Sequence, residues 1–189
     1  MIIGLTGGIG SGKSTALKAL KNNGYFTVSC DDIVKELYSK RAVLKKLKKV
    51  FPSAISGRLK LKADKKEISR IVFSDKEKYR FLTDFLSVTA FNEALNRAKK
   101  AKNTAIVEVP LLLENDLAEY FDKVIVITRA INERIKSVKI RSGLSEEEIK
   151  DRLKNQVDYE TFDLSRFTVI KNDGDENALS CAVLSAVKE

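Results

Sequence analysis

The 189 residues are 43% hydrophobic and 32% charged, enough apolar content for one domain with a real core and too much for global disorder. There is no histidine, so Ser-His-Asp triads, Cys-His dyads and histidine-ligated metal sites are excluded, and a general base has to be a carboxylate or, less easily, Lys, Tyr or Cys. The formal net charge of +9 points to an anionic partner without naming it.

In chain order, five short apolar runs lie at 2–6, 25–29, 104–109, 123–128 and 167–171. They are rich in β-branched or aromatic residues and mostly lack polar alternation, as strands buried on both faces of a parallel sheet do. Helical patterns separate them, so an α/β sheet is expected. A short helix over 14–23, stopped by Gly24, follows the first run. The long interval 32–103 reads as an inserted helical subdomain. Val43, Leu44, Leu47, Val50 and Phe51 fall on one helix face with Lys45, Lys46, Lys48 and Lys49 away from it. Pro52 and Gly57 mark a break, and Phe81, Leu82, Phe85, Leu86, Phe91 and Leu95 outline a longer second helix. Further on, 128–141 is helical, Ser145-Glu146-Glu147-Glu148 is a capping box opening a helix towards Gln156, and a last helix runs from about 175. The charge is uneven along this path: residues 35–66 hold twelve basic and two acidic residues, a local +10, which leaves the remainder at −1.

Between the first strand and the first helix, Gly7-Gly8-Ile9-Gly10-Ser11-Gly12-Lys13-Ser14 fits G-x-x-x-x-G-K-[ST] in the strand–loop–helix context that the motif requires. Backbone N–H groups of Gly8, Ile9, Gly10, Ser11 and Gly12 can turn inward around phosphate oxygens, and the helix that follows adds its positive end. Lys13 can reach the β- and γ-phosphates, Ser14 can ligate Mg²⁺, and Thr15 is placed for the α-phosphate. Binding of a nucleoside triphosphate follows; the reaction does not. No N-K-x-D base-reading segment is present, which argues against a GTPase.

A small-molecule kinase also needs a carboxylate by the acceptor hydroxyl and arginines over the transferring phosphoryl group. Asp31 and Asp32 follow the second strand, where ligands of open α/β sheets sit, so Asp31 is the expected base and its neighbour a helix cap. Glu108, closing the third strand, is either a Walker B-like acid near Mg²⁺ or a solvated strand end. Glu114 reads as the end of the turn after Pro110. Arg134 and Arg141, seven residues apart, would share a helix face and with Arg152 could clamp phosphates. The alternative for each is a solvated helix arginine. Arg141, beside the Gly143 break, is the favoured one.

With these motifs in order, the chain resembles the dephospho-CoA kinase family. Gly4 to Thr15 looks like that family's N-terminus, and Val109-Pro110-Leu111-Leu112-Leu113-Glu114 is similar to its second hallmark. Arg141-Ser142-Gly143-Leu144-Ser145 with Arg152 and Gln156 resembles its lid, and Asn172-Asp173-Gly174 its adenine-side loop. The resemblance implies a five-stranded parallel P-loop core (about 1–31 and 104–189), a helical acceptor-binding insertion (about 32–103) and a lid (about 137–156). It implies ATP and Mg²⁺, with dephospho-CoA phosphorylated on its ribose 3′-hydroxyl to give CoA as the last step of CoA synthesis. Asp31 falls on the family's catalytic Asp; Lys65, Glu108 and Leu111 fall on its acceptor side, and Asn172 on its nucleotide side. Departures concentrate on the acceptor and lid side: Ser29 begins the D-A-D segment, Ser87-Val88 replaces His-Pro, Lys65 replaces an arginine, and Ser137 replaces the first lid arginine.

Two other readings stay open. One is a different small-metabolite P-loop kinase, such as a nucleoside or nucleotide kinase. The other is a degenerate nucleotide-binding module that uses the basic segment on nucleic acid, although that segment lacks aromatic stacking platforms. Nucleic acid is not the expected partner. Cys30 and Cys181 form no C-x-x-C and suggest no disulfide framework, no apolar run spans a bilayer, and residues 1–5 lack the basic start of a signal peptide. A cytoplasmic location without membrane association, as a monomer or weak oligomer, is expected.

Overall fold

The structure is a computed structural model that describes residues 1–58 and 60–189. It divides into two units, residues 1–29 with 96–189, and residues 30–95. In the first unit, β1 (Ile2–Gly7), β2 (Phe26–Ser29), β5 (Ala105–Glu108), β6 (Lys123–Thr128) and β7 (Thr168–Lys171) form one sheet in the order β2-β5-β1-β6-β7. Every pairing is parallel. β1 is central, and Ile3, Leu5, Ile106, Ile125 and Ile127 are completely buried, which is why the runs read as continuous rather than alternating. The five expected strands are all present, within two residues of their expected ends.

Helices α1 (Lys13–Asn22) and α8 (Glu176–Lys188) pack on the sheet through Ala16, Leu20, Leu179, Val183, Ala186 and Val187. Gly24 follows α1 at φ +85, the left-handed stop its position predicts. α6 (Ile131–Ser142) ends on Gly143 at φ +65, and α7 (Glu146–Leu153) opens with the full capping box of Ser145 and Glu148. β1 and the loop after it thus sit at the sheet's centre, with the carboxyl ends of all five strands on one side.

The second unit contains α2 (Cys30–Leu37), α3 (Arg41–Val50), the β3 (Ile55–Ser56) and β4 (Lys62–Ala63) hairpin, α4 (Lys65–Ser74) and most of α5 (Lys76–Lys99). On α3, Val43, Leu44 and Leu47 are buried, as is Phe51 just past its end, and the lysines between them are exposed. Phe81 lies 6.5 Å from Phe51 and 5.7 Å from Phe85, centroid to centroid. Asp64 caps α4, accepting from the N–H groups of Lys66 and Glu67. The hairpin is too short to give a periodic signal, and its Gly57 reads only as a break. Gly57 has φ +90, and a Cβ there would collide with the Lys60 carbonyl, so glycine is what lets this turn close.

Candidate active site

The phosphate loop runs from β1 into α1. Gly12 is the N-cap of α1, with no side-chain cap and no acidic residue in the first turn, so the positive end of the helix is left for an anion. Lys13 Nζ donates to the Gly7 carbonyl at 2.6 Å and the Gly8 carbonyl at 3.0 Å, which folds the ammonium back over the loop. Ser11 N–H donates to Gly8 O at 3.1 Å, closing the turn. Ser11 Oγ is fully buried with no hydrogen-bond partner among the described residues, an orphan that a phosphate oxygen or water would satisfy. Ser14 is exposed at the start of α1, and Thr15 is half-buried.

The loop is held from behind by Arg134 and Gln156, which the sequence pointed to as a phosphate clamp and as part of the lid and not as supports of the loop backbone. Arg134, only 7% exposed, donates from Nε to Ile9 O at 3.0 Å and from Nη2 to Gln156 Oε1 at 2.9 Å. The same Gln156 oxygen accepts the Ile9 N–H at 2.9 Å, so both polar groups of Ile9 are bound. A Cβ on Gly8 would strike the Arg134 guanidinium and one on Gly10 its backbone, so these glycines make room for Arg134 as well as for phosphate. Tyr159 lies 5.7 Å beneath the guanidinium. Burial lowers the Arg134 pKa from its ordinary value, against the raising influence of Tyr159, Glu160, Asp158 and Glu114 around it. Burial, reinforced by the Glu114 carboxylate, pushes the Tyr159 phenol far above its ordinary value, so it stays protonated. It donates to Glu114 Oε1 at 3.4 Å, and Val157 N–H donates to the same oxygen at 3.0 Å. Glu114 therefore does more than end a turn: it fixes the segment after α7. Arg134 and Arg141 share a helix face by spacing but not an environment. Arg134 lies where α6 meets the loop; Arg141, two turns on, is exposed, as is Arg152. Replacing Arg134 with Met strands the Ile9 carbonyl and Gln156, so a loss of about 1–3 kcal/mol is expected. Urea unfolding checks this, and an unchanged midpoint would contradict it.

Asn172 supports the loop on another side. It is 8% exposed, Nδ2 donates to Ser11 O at 2.7 Å, and its N–H donates to Thr128 O. A Cβ on Gly12 would meet this carboxamide. The residue expected at the nucleotide thus spends its amide donor on loop backbone. Asn172→Ala leaves a buried carbonyl unsatisfied and is expected to lower stability by about 1–3 kcal/mol. Thermal melting with and without ATP reads this, and an unaltered ligand-free melt would refute the buttressing role.

Of the other candidates, Glu108 ends β5, is 6% exposed, and lies in register with Leu5 on β1 and Ser29 on β2. Leu111 is half-buried in the following turn, where its carbonyl accepts from Asn115 at 2.8 Å. Asp31 and Asp32 are both exposed in the first turn of α2; because α2 begins at Cys30, neither is its cap. Asp32 pairs with Lys35 at 2.6 Å, and Asp31 makes no ion pair or hydrogen bond of its side chain among the described residues. Lys65 opens α4 with its ammonium 4.8 Å from the Tyr38 ring, a cation–π contact. Burial raises the Tyr38 phenol from its ordinary value. Among the described residues no cluster of three or more His, Cys, Asp or Glu could hold a metal by itself. An Mg²⁺ that takes one Ser hydroxyl and completes its shell with phosphate and water needs no such cluster.

A sequence model of the dephospho-CoA kinase family matches residues 1–177. The chain belongs to the dephospho-CoA kinase family. A dephospho-CoA kinase of Fusobacterium nucleatum is 35% identical over 165 residues, covering 82% of this chain and 83% of that protein. Among solved structures, a Thermus thermophilus protein superposes with a TM-score of 0.80 at 28% identity, covering 100% and 96% of the two chains. The dephospho-CoA kinase of Campylobacter jejuni does so at 0.69 and 26%, covering 99% and 95%. As a member of the dephospho-CoA kinase family the chain is an ATP-dependent kinase. The two segments that carried the resemblance, the phosphate loop and Val109 to Glu114, have distinct tasks: the first forms the cradle, and the end of the second ties down the residues after α7.

Proposed function

We propose that the chain transfers the γ-phosphoryl group of ATP to the ribose 3′-hydroxyl of dephospho-CoA, giving CoA and ADP as the last step of CoA biosynthesis. Family membership over residues 1–177, together with an intact phosphate loop, carries this reading. In the transfer a bond forms between the acceptor 3′-oxygen and the γ-phosphorus, the bond from that phosphorus to the β,γ-bridging oxygen breaks, and the hydroxyl proton passes to the Asp31 carboxylate. Lys13 and the N-terminus of α1 offset the charge on the β- and γ-phosphates. Arg141 covers the moving phosphoryl group from the lid, Lys65, Glu108 and Leu111 border the acceptor, and Asn172 shapes the nucleotide side through the loop. Mg²⁺, when bound, would be held by Ser14 and would neutralise phosphate charge. We place the reaction in the cytoplasm, on the strength of two free cysteines and no helix long and apolar enough to cross a membrane among the described residues.

The test is ADP release in the presence of ATP and dephospho-CoA, with CoA identified by mass. Acceptor-dependent ADP and one-to-one CoA are expected; ATP binding without such turnover would reject the reading. The Lys65 and Ser87 departures favour including nucleosides and nucleotides as rival acceptors, and a higher kcat/KM for one of these would replace dephospho-CoA as the substrate.

A further inference from the structure

Residues 135–155, between Arg134 and Gln156, carry most of α6, all of α7 and the two exposed arginines Arg141 and Arg152. Packing holds this segment weakly. Only Val138 and Ile149 within it are buried, and among the helices and strands α6 and α7 meet chiefly one another. Hydrogen bonds fasten its two ends instead, and both ends meet the same residue of the phosphate loop. At the start, Arg134 Nε donates to Ile9 O at 3.0 Å; at the finish, Gln156 Oε1 accepts the Ile9 N–H at 2.9 Å. The other arm of the guanidinium joins the two ends directly, Nη2 donating to Gln156 Oε1 at 2.9 Å. One residue further on, Val157 N–H donates to Glu114 Oε1 at 3.0 Å, a second anchor at the finish. The bonds that brace the loop therefore also fix where the segment leaves the loop and rejoins it.

Arg141 stands seven residues, about 10 Å, along α6 from Arg134. With so little apolar contact to seat the α6–α7 segment, its placement over the loop is set at these ends, and the placement of Arg141 with it. We propose that Arg134 and Gln156 form a clasp that registers the α6–α7 segment on the phosphate loop, and that Gln156 is thereby a positioning residue for Arg141. This rests on the reading of Arg141 as the group that covers the transferring phosphoryl. Gln156 suits the task because one carboxamide oxygen serves both donors, the loop N–H and the guanidinium, so the loop and both ends of the segment are tied at a single atom. Arg134 suits it because its planar fork spans Ile9 and Gln156 at once.

The test is a double-mutant cycle on kcat. Gln156→Met keeps the size of the side chain and removes the shared acceptor; Gln156→Glu keeps an oxygen at the same reach. Both are measured beside Arg141→Ala and the double variant Gln156→Met/Arg141→Ala, below the melting temperature of each, with KM for dephospho-CoA read alongside. Gln156→Met is expected to lower kcat by about 10- to 100-fold, the scale of a misplaced catalytic group, with KM for dephospho-CoA unchanged. Gln156→Glu should recover most of the loss. The double variant should turn over no more slowly than Arg141→Ala alone, because without Arg141 the clasp has nothing to place. A merely structural role would instead multiply the two losses. Arg134→Lys, which keeps the charge but not the fork, opens the clasp from its other half and should show the same lack of additivity with Arg141→Ala, so the cycle can be completed even if Gln156→Met does not fold. Native kcat in Gln156→Met, or multiplied losses in either double variant, would overturn the clasp. Native turnover in Arg141→Ala would overturn the role given to Arg141 itself, and is read from that single variant.

Discussion

Asp31→Asn is expected to lower kcat by about 100- to 10,000-fold while the dissociation constant for ATP stays at its native value. The chain has no histidine to take the acceptor proton, which makes a carboxylate the expected base ahead of Lys, Tyr or Cys. Two carboxylates stand together after the carboxyl end of β2, both exposed: Asp32 pairs with Lys35 at 2.6 Å, and Asp31 is one residue nearer the strand. Asparagine preserves shape and can still accept a hydrogen bond from the hydroxyl, but it cannot take the proton. The loss should therefore appear in turnover rather than in binding. Asp32→Asn gives the contrast: it removes an exposed i,i+3 pair of the kind that contributes about 0–1 kcal/mol, so activity should stay close to native. Single-turnover rates and ATP binding on both variants decide the matter. Native turnover in Asp31→Asn together with collapse in Asp32→Asn would transfer the role to the neighbour.

Much of this architecture was legible in the residues. The strands announced themselves because both faces of the sheet are covered, so each had to be apolar throughout; Ile3, Leu5 and Ile125 are completely buried. Gly24 and the Ser145–Glu148 box stop and start helices as their local chemistry dictates. What stayed hidden was tertiary. Nothing in the spacing of Arg134 and Arg141 says that one is buried against the phosphate loop and the other exposed, because periodicity gives a face of a helix and not what that face meets. Tyr159 has no pattern of its own and Gln156 read only as part of the lid, whereas their importance comes from Glu114 and Ile9, more than forty and more than a hundred residues away in sequence. The hairpin carrying Lys60 and Lys62 has two-residue strands, shorter than any window that could register alternation. The glycines of the loop were read for their N–H groups; that Gly8 and Gly10 also clear space for Arg134 needed the packed structure.

Lys13→Ala should reduce kcat/KM for ATP by about 100- to 1,000-fold, the scale of losing one preorganised donor to a developing charge. The ammonium is tied to the carbonyls of Gly7 and Gly8 at 2.6 and 3.0 Å. It therefore has two tasks: it closes the loop on itself, and it presents positive charge at the loop's mouth. Alanine removes both. The first loss is a matter of fold, two hydrogen bonds of about 1 kcal/mol each, and should appear as a lower melting temperature without ligand. The second appears only with substrate, as a loss in phosphoryl transfer larger than any loss in ATP affinity. Lys13→Arg sorts the two. It keeps the charge, but a planar guanidinium in place of a compact ammonium does not reproduce the contact to two adjacent carbonyls. If charge alone mattered, arginine would restore most of the rate. If the tie to Gly7 and Gly8 sets where the charge stands, arginine should recover binding of ATP and little of kcat. Steady-state kinetics on the two variants, read beside their melting curves, separate these outcomes, and native turnover in Lys13→Ala would remove the lysine from the transfer altogether.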